Sequence, residues 1–502
     1  MRLNAPIAAM ILSLAACTPG DDDTGASASA SASTSESESD GSTSDASTTS
    51  SPTTTTTTAT TGASASDGTT DATTGSTDST TDATSDSTTD VATTGSTAST
   101  TDSTDATTDD TTTGGVDPCV APILPGTIDY RSPEYSETEA HERLSHMIAD
   151  AAEDPIFTPP AYPMGYGPTA KQGVVRIPFD PDAPPYEGAN AIVLHGTVDF
   201  VSGVRLEIDS GIRLVDAQPK DGTLISWRGA PDQPLTDVTL TVGDTCHGEG
   251  WAQGRFVVDR QTALDPALAT RFLWAENADR WLLEHVHTLD HPLHYDTTPM
   301  MPGGGTGGPV VLFRGSTPST VPRHGVYRHH SNEGSCAGWG PNQIAALEDT
   351  YISHIKTDGG TALRFESSQL TPGNHRITAE YIFGMNGNGV VSFSPHESSS
   401  DEVHVSQLYG VSMYAGITIV KGEGGVFTKS SASDGCIVGG HTAESSAADK
   451  PYPGSDDSKI AIYNVGSGVT VSGIGSAGDF LPNGSNGDPD VPCSLDIAMN
   501  AF

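Results

Sequence analysis

The chain has 502 residues, with 64 Asp and Glu against 23 Lys and Arg, and a formal net charge of −41. Such an acidic balance excludes nucleic acid as a partner, because phosphate contacts need a basic surface. The six cysteines are widely spaced with no CxxC pair, which excludes the usual spacing of a thiolate metal site. In chain order, the first element is a leader over residues 1–16. Arg2 precedes an apolar run from Ile7 to Ala16 that is too short to span a bilayer as a mature helix, so it reads as an export signal.

Leu14-Ala15-Ala16-Cys17 closes that run with small residues ahead of a cysteine, and it resembles the bacterial lipobox. The resemblance implies cleavage before Cys17 and lipid on its sulfur and new amino terminus. Several acyl chains would hold the protein to a membrane, where a single chain binds only marginally. An ordinary secretory signal with a chance cysteine is the alternative. Thr18 offers no acidic retention signal. The expected location is therefore the cell envelope, at the outer membrane or cell surface.

Residues 17–118 form a tether. From Thr18 to Val116 the chain is almost only Ser, Thr, Asp, Ala and Gly, with no aromatic residue, Lys or Arg. It has too little apolar surface to offset its ordering entropy, so it is predicted to be disordered. Coil statistics give it a reach of roughly 55 Å, which suits a spacer that lifts a domain off a membrane. With Cys17 lipidated, Cys119, Cys246, Cys336, Cys436 and Cys493 remain. Export permits disulfides, and an odd number leaves one thiol over. Cys119 and Cys493 bracket the folded region as one possible closure.

Residues 119–502 are predicted to fold. A helix over 137–153 comes first, with Ser136 and Glu139 in a capping-box pattern and Ala140, Leu144, Met147, Ile148 and Ala151 at helical spacing. Asp265 to Ala275 is a weaker helical candidate. Short β-rich runs dominate the rest. Leu363-Arg364-Phe365-Glu366 aligns with Val391-Ser392-Phe393-Ser394 and with Ile419-Val420-Lys421-Gly422 in steps of 28. The preceding runs, starting at Tyr351, Arg376 and Glu402, also recur, in steps of 25 and 26. A repeat in the twenties with short strands suits a parallel β-helix, in which each unit buries its apolar face by stacking on the next. A β-sandwich would need hairpin signals, which are sparse.

Ala191–Asp216 (AIVLHGTVDFVSGVRLEIDSGIRLVD) resembles the opening coils of the pectate-lyase-like right-handed β-helix superfamily. That resemblance implies an all-β solenoid whose open core is capped by an N-terminal helix, here 137–153. Thr357-Asp358-Gly359-Gly360-Thr361-Ala362-Leu363-Arg364-Phe365-Glu366 is similar to β-helical glycoside hydrolases of the iota-carrageenase type. The Asn-Thr-Asp, Asp-Asp and Arg-Ile-Lys hallmarks of polygalacturonases are not found.

Strand alternation supplies the candidate chemistry. With Leu363, Phe365, Val391 and Phe393 inward, Arg364, Glu366, Ser392 and Ser394 point outward, with His396 just beyond. Glu366 is the predicted general acid, with His396 or Asp358 as its partner. Arg364 is the predicted binder of a sulfate or uronate. His285 and His287 are predicted to share a strand face and so to reach one divalent metal, although no HExxH motif is present. Nearby are Glu284, Asp290, His291, His294 and Asp296, and His329, His330 and Glu333 form a similar group. Gly303–Gly308 reads as a flexible loop and Gly384–Gly389 as a turn. No organic cofactor is implied. The expected function is carbohydrate binding or cleavage, by hydrolysis or β-elimination, on an anionic polysaccharide. The competing class is a non-enzymatic adhesin or glycan-binding or structural surface lipoprotein.

Overall fold

The computed structural model describes residues 123–501, apart from 220–221, 261–270, 290–308, 334–340, 368–370, 388, 413–414, 441–459, 465, 479 and 481–486. The leader, Cys17, the tether, Cys119, Cys336, His291, His294 and Gly303–Gly308 lie outside the described residues.

Two parallel sheets carry the fold, and apart from Ile128–Asp129 beside Gly173–Ile177 the neighbouring strands are non-consecutive in sequence. The chain therefore winds as a right-handed parallel β-helix. Among the described residues, one sheet has nine short strands, including Thr223–Arg228, Arg271–Glu276, Val311–Phe313, Asn342–Ile344, Thr361–Glu366, Gly389–Ser394 and Ala415–Ile419. The other has fifteen, and its central run is long: Ala278–Leu289, Arg323–Glu333, Ala346–Asp358, Gly373–Gly387, Ser400–Ser412 and Ser430–Gly439. Leu363, Phe365, Val391 and Phe393 are fully buried, as the alternation predicts.

The repeat is less regular than its predicted 28-residue step. Leu363 pairs with Val391, 28 residues on, but Val391 pairs with Ile417 rather than Ile419. Tyr351 pairs with Thr378, not Arg376. The turns vary in length, so the coil length varies with them. A slip of two residues keeps each side chain on its own face, which is why the inward and outward assignments survive.

The long strands are bent at left-handed residues that recur in pairs. His324 and His329, Asp349 and His354, Arg376 and Tyr381, Glu402 and Gln407 all have φ between 45° and 56°, and each pair is five residues apart. Left-handed backbone costs a non-glycine residue roughly 1–2 kcal/mol, so the stacking of these residues into columns calls for compensation. The first column supplies it by interspersing acidic and basic residues: Asp237, Arg280, His324, Asp349, Arg376, Glu402, Lys429. Arg280 contacts Asp237 at 2.8 Å, Arg376 contacts Asp349 at 2.7 Å, and Lys429 contacts Glu402 at 3.1 Å. The second column stacks rings. His285 lies 4.7 Å from His329, His329 4.8 Å from His354, and His354 4.6 Å from Tyr381.

The helix Ala140–Ala151 buries Leu144, Met147, Ile148 and Ala151. It packs against the first strands of both sheets. The predicted capping box is absent: Glu139 is the N-cap and makes no side-chain cap bond. Its carboxylate contacts His195 Nδ1 at 2.8 Å instead. The helical candidate at 265–275 is also corrected. Arg271–Glu276 is a strand with Phe272, Leu273 and Ala275 buried, because parallel pairing with its neighbours overrides a weak helical pattern. The turn expected at Gly384–Gly389 is corrected: Gly384 to Gly387 end the strand Gly373–Gly387, with a positive φ of 53° at Asn386, and Gly389 begins the next strand. Cys493 is bonded to Cys436, which rules out its pairing with Cys119 and ties the helix Leu495–Asn500 to the last coils. Cys246 is also disulfide-bonded.

Candidate active site

Beyond the second bend, each long strand runs straight for a few residues and turns alternate side chains outward. Parallel register puts His287 beside Ser331 and Lys356 beside both Ser331 and Phe383. It also puts Glu333 beside Asp358. Neighbouring strands lie about 4.8 Å apart, so two carboxylates from adjacent coils share one outward face.

The segment around Gly250–Ala252 forms the wall of this face. Arg255 fixes it by donating to the carbonyls of Trp251 (2.9 Å) and His329 (3.1 Å). Trp251 is thereby set against the face, with Lys356 Nζ 4.2 Å from its ring centre and 5.2 Å from that of Phe383. Burial, reinforced by Arg255, pushes the Lys356 ammonium down to about 8.

The two carboxylates are driven apart. Burial raises Asp358 above the ordinary aspartate range, and the nearby charge of Glu333 adds to it, although Asn386 Nδ2 donates to Asp358 at 2.8 Å. Glu333 is lowered, chiefly by His287, whose Nε2 is 3.6 Å from its Oε2. His287 itself is only 3% exposed, and burial lowers it. Ser331 Oγ lies 2.8 Å from His287 Nδ1 and 3.1 Å from the Trp251 carbonyl. A neutral His287 that lowers Glu333 carries its proton on Nε2, so Nδ1 accepts from the Ser331 hydroxyl. Two neighbouring carboxyls with opposed shifts are how one site holds an acid and a base at the same pH.

Arg364, Glu366 and His396 are brought together as predicted, but on the outward face of the short-strand sheet. Arg364 Nη2 is 2.5 Å and His396 Nε2 3.0 Å from Glu366 Oε1, and Gln343 Nε2 donates to Oε2 at 2.7 Å. Burial pushes Glu366 up, yet Arg364, His396 and Gln343 outweigh it and hold the carboxyl below its ordinary range. Both oxygens are occupied and the group is held ionised, which does not suit the predicted role of proton donor. Asp358 does not join this cluster. It ends a long strand, and the positive-φ pair Gly359 and Gly360 turns the chain before Thr361 starts the short one.

His285 and His287 do not share a face. His285 is one of the left-handed bends, which interrupts the alternation, and its ring stacks on His329 while His287 bonds Ser331. Among the described residues no group of three or more His, Cys, Asp or Glu suits a metal ion. The group His329, His330 and Glu333 is also separated. His329 lies in the ring column, His330 is buried against Tyr327 and Thr288, and only Glu333 reaches the candidate site. Trp281 is buried in the core, and Trp274 lies between Arg228 and Arg271. The signal for Glu333 was the register itself: it stands 25 residues before Asp358, one coil back.

No protein-family model matches the chain, and no curated protein matches it by sequence. Solved structures do. An iota-carrageenase complexed to iota-carrageenan fragments superposes with a TM-score of 0.51 at 13% identity, covering 76% of this chain and 95% of that one. A 1,3-α-1,4-β-D-galactose-4-sulfate-3,6-anhydro-D-galactose-2-sulfate 4-galactohydrolase gives 0.51 at 13% identity, covering 75% and 93%. An iota-carrageenase of family GH82 from A. fortis gives 0.44 at 16% identity, covering 63% of this chain and 57% of that chain. At such identities the likeness establishes the fold: this is a right-handed parallel β-helix protein.

Proposed function

We propose that the protein is a polysaccharide-cleaving β-helix enzyme, with Asp358 as general acid and Glu333 as the ionised base or nucleophile. The observation that carries this reading is the stacked Glu333–Asp358 pair with opposed proton affinities, beside Trp251 and the Lys356 ammonium. Glycosidic cleavage needs one carboxyl that keeps its proton and one that has lost it. A tryptophan ring offers a surface for a sugar ring. Lys356 adds a cation for an anionic sugar. The fold shared with carbohydrate-cleaving enzymes agrees with this by analogy only.

The test is a digest by the full chain in detergent of iota-carrageenan, polygalacturonate and a neutral galactan. Reducing ends and the ultraviolet absorbance of unsaturated products are read together. Reducing ends without absorbance support hydrolysis; absorbance indicates β-elimination. Silence on all three, with binding retained, makes the protein a glycan-binding module. Its location is a separate proposal. We infer that Cys17 is lipidated, and that metabolic labelling with an alkyne fatty acid marks the wild-type chain but not Cys17→Ser.

A further inference from the structure

At the opposite end of the long strands a cavity of about 470 Å³ opens between two turns. Arg323 begins the strand that Glu333 ends, so the cavity and the carboxylate pair lie at the two ends of one bent strand. One wall is the turn carrying Pro231 and Pro234, closed by the Ala230–Gln233 bridge. The other is the turn Pro318–Thr320, fixed by a capping box with Thr317. Asn277 joins them: its backbone N–H donates to Thr320 O at 2.7 Å and its side-chain amide to Ala230 O. The cavity is therefore preformed, and its proline rings add no side-chain freedom to be lost on binding.

Two of its polar side chains have hydrogen-bonding atoms to spare. Asp232 makes no hydrogen bond or ion pair among the described residues. Arg323 uses only Nη2, donating to Pro318 O at 3.2 Å and Ser319 O at 3.4 Å. We propose that this cavity binds one saccharide unit of a glycan, with Asp232 accepting from sugar hydroxyls, Arg323 donating to sugar oxygens and the proline rings meeting the C–H face. Asp232 disfavours a free sulfate, which has no hydroxyl to donate, whereas a sugar donates its hydroxyls to Asp232 and sets a charged substituent toward Arg323. A vicinal diol offers donors and acceptors together, as this pair requires. The volume is within the range of small-ligand sites. The cavity would then grip a long chain at a second point and raise avidity without touching the reacting bond. This rests on the glycan reading above but not on the roles of Asp358 and Glu333.

The test titrates the full chain carrying Asp358→Asn with a tetragalacturonate and an iota-carrageenan tetrasaccharide, reading stoichiometry by calorimetry. Two sites per chain are expected. Adding Asp232→Asn and Arg323→Gln should weaken one of them at least tenfold. In the otherwise wild-type chain that double change should leave turnover of the tetrasaccharide unchanged. A single site before and after the double change, or binding of glycyl-glycine with no sugar bound, overturns the proposal. Loss of one site by the double change, in a wild-type chain with no turnover, would uphold the cavity and reject the catalytic reading.

Discussion

The face around Asp358 and the face around Glu366 hold similar residue types and differ in what those residues have left to give. Around Glu366 the charges are settled: Arg364, His396 and Gln343 occupy both oxygens, and the carboxyl is held ionised. Around Asp358 they are not. Burial holds one carboxyl toward its neutral form while His287 holds its neighbour toward its charged form. A saturated ion cluster braces a surface. A pair with opposed proton affinities can move a proton, which makes it the better functional candidate.

The largest expected effect is on turnover. Asp358→Asn or Glu333→Gln should lower kcat by about 10²–10⁴-fold, as expected for loss of a general acid or base. Glu366→Gln should leave kcat within a few-fold. Should Glu366→Gln abolish turnover and Asp358→Asn spare it, the ranking of the two faces is reversed.

Stability should invert that ranking. Glu366→Ala removes the carboxylate from a cluster whose Arg364 side chain is only 10% exposed. Breaking a buried pair of this kind costs about 3 kcal/mol or more, measurable by urea unfolding. Asp358→Asn, with its hydrogen-bonding shape kept, should cost less than 1 kcal/mol by the same measurement.

The pH profile sharpens the contrast further. Glu333 must be ionised, so activity is lost as pH falls through its lowered pKa. Asp358 must be protonated, so activity is lost as pH rises through its raised pKa. His287→Gln removes the group that keeps Glu333 ionised, and the acid limb of kcat/KM should move to higher pH. An unmoved acid limb would detach His287 from the pair.

The smallest effect concerns the ring column between the two bent parts of the sheet. His329 is pushed down to about 3 by burial and by the neighbouring His285 and His354. The folded chain therefore excludes a proton that the unfolded chain binds below about 6.5. This contribution to stability is complete above that pH and declines as pH falls from 6.5 toward 3. Asn tolerates a left-handed φ. His329→Asn should thus shift Tm little at neutral pH and flatten its fall on acidification, as read by calorimetry at several pH values.

Much of the fold was legible because stacking in a solenoid is local and repetitive. The alternation of Leu363, Arg364, Phe365 and Glu366 announced both buried and exposed faces, and the apolar spacing of Leu144, Met147 and Ile148 announced the capping helix. The candidate site was only half legible. Arg364, Glu366 and His396 are close in one or two coils, and alternation found them. Glu333 escaped because the recurring runs begin at Tyr351, one coil after the strand that Glu333 ends. His285 and His287 misled because a left-handed residue in a strand leaves no mark on hydropathy, yet it turns the next side chains to another face.

The sequence by itself determined the winding of the described strands into coils and the division into inward and outward side chains, because burial follows a two-residue period that tolerates slips of two. The tertiary structure alone decided which outward residues meet. Turn lengths set the register between coils and the paired bends set the direction of each face. Together they place Glu333 against Asp358 and keep Glu366 on the other sheet.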